Sequence, residues 1–177
     1  MQIFFIVSAD PPADDKLQEI FNKAAGPGGQ LMDVSEFKKN VSPKGTYSID
    51  WDTCELLFRV YDKDLTSTIN FEEFKPMYTD LQRIIKEYRH ANKGYYDGIG
   101  ISDLSYAFTR LLGFQSSYVR HLIERRYFRH SDKVNFSCFL NIFLKTQAAF
   151  TAYNERSENR LSATFAYTDF FRLIFKL

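Results

Sequence analysis

The sequence is short of several things that would have named a function class at once. It has two cysteines, Cys54 and Cys138. Both stand in apolar helical patterns, which predicts reduced thiols in the core of an intracellular, cytoplasmic protein, with no disulfide framework. It has no charge excess. Lys and Arg total 23 against 22 Asp and Glu, for a formal net charge of +1, and such a balance gives no support to a nucleic-acid or anionic-membrane surface. No apolar run reaches the ~20 residues of a transmembrane helix. The opening MQIFFIV is too short for a span and has no basic flank, so a signal peptide is not expected either. Nor is there a nucleophile constellation. Neither cysteine has a histidine partner by pattern, and His90, His121 and His130 have no metal-ligand spacing. The chain by itself is therefore expected to hold no catalytic site. The basic run HLIERRYFRH, His121 to His130, reads as a solvated helical face, partly paired through residues such as Arg120 and Glu124.

What the sequence does have is apolar material, 45% of its 177 residues with 18 Phe among them, enough to bury the core of one domain or a compact pair of halves. It also has one twelve-residue segment of specific chemistry. Asp62 to Glu73 reads DKDLTSTINFEE. Asp62, Asp64 and Thr66 place side-chain oxygens at the first, third and fifth positions, and Thr68 offers its backbone carbonyl at the seventh. Asn70 stands at the ninth, and Glu73 can give both carboxylate oxygens at the twelfth. A hard divalent cation takes six to eight oxygens around one point, and this spacing wraps them there; the segment resembles the calcium loop of an EF-hand. Ile69 is apolar at the eighth position, as a short strand pairing with a neighbouring loop requires. Ser67 stands at the sixth, where glycine is customary because the chain turns with positive φ. A side chain there costs about 1 kcal/mol, leaving a calcium site that is weakened or lost.

The landmarks of that loop recur. An apolar residue is followed, four and five residues on, by a short residue and then an aromatic or Leu. Met32 precedes Glu36-Phe37, Ile69 precedes Glu73-Phe74, and Ile99 precedes Asp103-Leu104. Val134 precedes Cys138-Phe139, and Phe165 precedes Asp169-Phe170. Five units at intervals of roughly thirty to forty residues indicate one repeated helix-loop-helix. The other four loops are poor ligand sets. The first, AGPGGQLMDVSE from Ala25, has Glu36 as its sole carboxylate at a ligand position. The third, from Asn92, closes on the short Asp103. The fourth ends in Cys138, and the fifth, from Asn154 to Asp169, is overlong and carries Arg156 and Arg160. These four are expected to be structural. The near-neutral charge agrees, since several working calcium loops would make the chain acidic.

Helices are expected over Asp15 to Ala24, Asp33 to Asn40, Asp52 to Tyr61 with Asp52 as a cap, and Phe71 to about His90 with a kink at Pro76. Further helices are expected from a Ser102 cap to Gly113, over Ser116 to Tyr127, and over Asn135 to Tyr153. In the last of these Phe136, Phe139, Leu140, Phe143 and Leu144 form one apolar face, expected in the core.

These features together resemble the penta-EF-hand family over about Asp15 to Leu177. The specific parts are AGPGGQL in the first loop, DTCELLFRVYDKD leading into the second, Gly113-Phe114, RRYF from Arg125, and the irregular fifth hand. The resemblance implies an all-α fold of five EF-hand units with short β-bridges between paired loops. It also implies a fifth hand that pairs with that of a second chain, as a homodimer or heterodimer. The terminal DFFRLIFKL is apolar nearly all round, and Phe170, Phe171, Leu173, Ile174, Phe175 and Leu177 are the expected interface. Carboxylates present in many members are missing from the first and third hands, so at most one calcium site, the second hand, carries over. The β-rich QIFFIVSAD makes residues 1–14 a strand-like segment from a preceding domain. The implied function is thus a non-catalytic regulatory and dimerisation domain, residues 15–177, of a calpain-like cysteine protease (thiol hydrolase). The alternatives are a sorcin-like stand-alone adaptor and a calcium-independent dimerisation scaffold.

Overall fold

The computed structural model describes residues 13–26, 28–93, 98–113 and 116–156. The N-terminal strand-like segment, Phe114, part of the third loop, and the fifth hand with its interface residues lie outside them, apart from Ala13 and Asp14 at the start and Asn154, Glu155 and Arg156 at the end. Seven α-helices follow in order among the described residues: α1 (Asp14–Ala24), α2 (Val34–Asn40), α3 (Trp51–Tyr61), α4 (Phe71–Asn92), α5 (Ile101–Leu112), α6 (Ser117–Tyr127) and α7 (Phe136–Arg156). A 3-10 turn, Gly45–Tyr47, precedes α3.

The helix starts follow side-chain capping. Asp33, Asn70 and Ser116 each accept a backbone N–H from the first turn of α2, α4 and α6. Two expected caps are corrected. Asp50, not Asp52, caps α3 by accepting from Thr53 N, because Trp51 already has helical geometry and puts Asp52 inside the first turn. Ser102 does not cap α5, which begins at Ile101 after Gly100 with no side-chain cap. Gly113 ends α5 in the left-handed conformation, with φ of 70°, which costs glycine nothing. α4 runs unbroken through Pro76 to Asn92, and α7 continues past Tyr153 to Arg156.

Two isolated antiparallel bridges tie the loops in pairs, Met32 to Ile69 and Ile99 to Val134. Each is a reciprocal pair of N–H···O=C bonds, at 2.9 and 2.8 Å in the first and 3.0 Å twice in the second. All four residues are buried. They are the apolar landmarks of four repeats, so the repeat register is also the pairing register. Around the bridges the helices pack on aromatic rings. Phe21 meets Phe71 and Phe74, while Tyr88, Phe136, Phe139 and Phe108 form a chain of tilted and edge-on contacts. The expected α7 stripe is wholly buried, and each such side chain removed from water contributes ~1.5–3 kcal/mol. A polar link joins α3 to α7. Ser137 donates to Asp50 Oδ2 at 2.6 Å and accepts from Asp50 N at 3.0 Å. Burial alone would raise the Asp50 carboxyl, but the hydrogen bonds from Ser137 and Thr53 outweigh it and hold it below its ordinary range.

Both cysteines are free thiols. Cys54 lies in the core, and burial pushes its thiol up to about 11. Cys138, the closing residue of the fourth hand, is only half-buried rather than a full core residue. His90, His121 and His130 are all exposed. No helix among the described residues is long and apolar enough to cross a membrane.

Candidate metal centre

The loop between α3 and α4 is built from its backbone outward. Asp62 follows the last turn of α3, its N–H still bonded to Phe58 O. Its carboxylate then organises the turn. Oδ1 accepts from Thr66 N at 3.1 Å and Oδ2 from Ser67 N at 2.8 Å, while Asp64 Oδ1 accepts from Thr66 N at 3.2 Å. Ser67 has φ of 63°, the positive value expected at the sixth position, and Leu65 shares it at 61°. Leu65 carries no signal of this conformation in the sequence. Two such residues cost ~1–2 kcal/mol each, which the hydrogen bonds to Asp62 offset.

The far end of the loop is held by Glu73. Its Oε1 accepts from Lys63 N at 2.7 Å and its Oε2 from Asn70 N at 3.1 Å. Asn70 Oδ1 in turn accepts from Glu73 N at 3.0 Å, completing a capping box for α4. Asn70 therefore serves the helix start directly, and Glu73 is folded back over the loop by the backbone of Lys63, a contact with no residue-type signal in the sequence. Asp62 is 5% and Glu73 4% exposed, whereas Asp64 is open to solvent. Hydrogen bonding from Thr66 holds the Asp64 carboxyl below its ordinary range. Thr66 Oγ1 lies 3.3 Å from Thr68 O and 3.0 Å from Thr68 Oγ1, so the fifth and seventh positions are adjacent.

The outcome is a convergence. Asp62, Asp64 and Glu73 each present a carboxylate oxygen, and the three lie within 4.8 Å of one another. Oxygens on opposite sides of a calcium ion stand about 4.8 Å apart, twice a bond of ~2.4 Å. The donor set is all oxygen, and each carboxylate oxygen retains a lone pair beyond its hydrogen bond. It fits a hard divalent cation such as calcium. Among the described residues this is the one such cluster. In the first hand Glu36 Oε2 accepts from Asp33 N at 2.9 Å and Asp33 Oδ1 from Glu36 N at 2.7 Å, a capping box with no carboxylates facing it. In the fourth, Ser131 Oγ closes on Lys133 O at 2.8 Å and Asp132 is exposed.

Paired helix-loop-helix units bridged at the eighth loop position, with an oxygen cluster in one loop, define an EF-hand protein. The comparisons agree and narrow the class: the chain is a homologue of calpain small subunits and of grancalcin, which are penta-EF-hand proteins. It is 25% identical to calpain small subunit 2 of Homo sapiens over 152 residues, which cover 82% of this chain and 61% of that one. It is 27% identical to calpain small subunit 1 of Mus musculus over 108 residues, 61% of this chain and 40% of that one. Mouse grancalcin is 25% identical over 165 residues, 90% of this chain and 74% of that one. The chain thus spans about three fifths or less of the length of these two calpain subunits. No model of a protein family matches it. Among solved structures, a homolog of programmed cell death 6 protein from Leishmania major Friedlin superposes with a TM-score of 0.71. It covers 99% of this chain and 97% of its own, at 18% identity, a likeness of fold.

Proposed function

We propose that this chain is a non-catalytic regulatory module that binds one calcium ion in its second hand and dimerises through its fifth. The observation that carries the calcium reading is the convergence of Asp62, Asp64 and Glu73 within 4.8 Å. Thr68 O and Thr66 Oγ1 complete the near shell. Asn70, whose side-chain oxygen caps α4, contributes through a bridging water, as is common at the ninth position. Dimerisation rests on the apolar end DFFRLIFKL and on the likeness to calpain small subunits, whose name makes them parts of a larger assembly. We infer a place beside or within a calpain-type cysteine protease of the cytoplasm, with the catalytic residues on another domain or chain; the likeness to calpain small subunits supports the association with calpain. Titrating calcium into the chelator-treated protein by calorimetry, with sedimentation on the same sample, tests both halves. One site of micromolar affinity and a dimer are expected. No heat at two temperatures sinks the calcium reading, and a monomer at micromolar concentration sinks the dimer.

A second reading, a stand-alone adaptor that opens a groove on binding calcium, is favoured by the match to grancalcin, which spans 74% of that protein's own length. A calcium-dependent rise in binding of an apolar dye separates it from a fixed scaffold.

A further inference from the structure

The second hand is fastened across its two helices as well as at its metal loop. Tyr61, the last residue of α3, stands immediately before Asp62, and its hydroxyl donates to Asp80 Oδ2 of α4 at 2.8 Å. Tyr61 is buried. Burial, with the Asp80 carboxylate beside it, pushes the phenol well above its ordinary range, so the hydroxyl keeps its proton and always has one to donate. Asp80 follows Glu73 by about two helical turns, and Arg83 pairs with its other oxygen at 3.2 Å. Elsewhere the two helices are tied to different neighbours. The start of α3 is bound to α7 by Ser137 with Asp50, and by Asn141, which donates to Thr53 Oγ1 at 3.3 Å. The far half of α4 is bound to α5 by Arg110, which donates to both carboxylate oxygens of Glu87, at 2.6 and 3.2 Å. A change of angle between α3 and α4 therefore falls on the polar tie that joins them, Tyr61 with Asp80.

We propose that the Tyr61–Asp80 hydrogen bond is a clasp that holds the second hand closed in the absence of calcium, and that calcium binding releases it. This rests on the calcium reading of Asp62, Asp64 and Glu73. An EF-hand that responds to calcium changes its interhelical angle by about 40°. Asp80 lies nine residues beyond Phe71, the start of α4, which puts it ~13 Å along the helix from the loop. Such a swing carries it several ångströms, further than a hydrogen bond stretches. The bond is present in the closed hand and absent from the open one. It therefore opposes calcium, and the second hand binds more weakly than its ligands alone would allow.

Calcium calorimetry on the whole chain tests this with Tyr61→Phe, which keeps the ring in the core and removes only the hydroxyl. The variant is expected to bind calcium ~fivefold more tightly than the wild type, or better. Its unfolding midpoint in denaturant should fall in chelator and match the wild type in saturating calcium. The gain in affinity should vanish when Asp80→Ala is already present, because the hydroxyl then has no carboxylate to release. Unchanged or weaker binding by Tyr61→Phe, with normal heat in the wild type, overturns the clasp and leaves the calcium site standing. So does a gain that survives Asp80→Ala, since the hydroxyl would then act through another group. No heat in the wild type overturns the calcium reading itself, and the clasp as a calcium-linked device falls with it.

Discussion

The first and second hands share almost everything except their chemistry. One bridge, Met32 to Ile69, joins them, and both close on a capping box, Asp33 with Glu36 in one and Asn70 with Glu73 in the other. Only the second gathers carboxylates. The difference lies at the front of the loop. The second hand opens with Asp62 and Asp64, which accept backbone N–H groups and face Glu73. The first opens with Ala25 and Gly26, and Glu36 settles where a Cβ on Gly26 would otherwise stand. A glutamate at the twelfth position is thus held by helix capping in both hands and does not by itself point to a metal; the carboxylates at the first and third positions set the second hand apart.

The sharpest way to break this comparison is to remove the two glutamate charges in turn. Glu73→Gln should abolish the calorimetric signal of calcium, while Glu36→Gln should leave it intact; equal losses would mean that the first hand also binds. The bridge comes next. Both Met32 and Ile69 are fully buried, so Met32→Ala and Ile69→Ala should each destabilise by ~2–5 kcal/mol in denaturant unfolding. A large cost for only one would show that the two hands do not share a single core.

Capping separates the hands more finely. Asp33→Ala and Asn70→Ala should each cost about 1 kcal/mol of stability, but only the second should also weaken calcium, by loosening Glu73. The smallest effect is at Ser67, with φ of 63°. Ser67→Gly should raise stability measured in chelator by about 1 kcal/mol or less. A loss instead would contradict the left-handed turn.

Much of this was legible in the residues. The landmarks Met32, Ile69, Ile99 and Val134 fell into pairs because an apolar residue beside a loop must be buried, and bridging a second loop buries it without leaving its N–H unpaired. The positive φ at Ser67 followed from the loop's spacing. The cap of α3 is Asp50 rather than Asp52, since several polar residues compete near a helix start and local geometry selects one; at α5 none is selected, because the N-cap is Gly100. The charges of α6 read as paired because i, i+4 spacing allows a pair; the actual rotamers leave Arg120 and Glu124 unbonded.

The sequence by itself determined the repeat, the pairing register of the described loops and the loop on which a metal site is possible. Periodicity and ligand spacing are local properties, written within a dozen residues. Only the tertiary structure decided that Glu73 is held by Lys63 N, that Asp50 ties α3 to Ser137 of α7, and that α6 fully buries Ile123 alone. Those outcomes depend on which backbone amides and side chains meet across the fold, and no spacing along the chain encodes that.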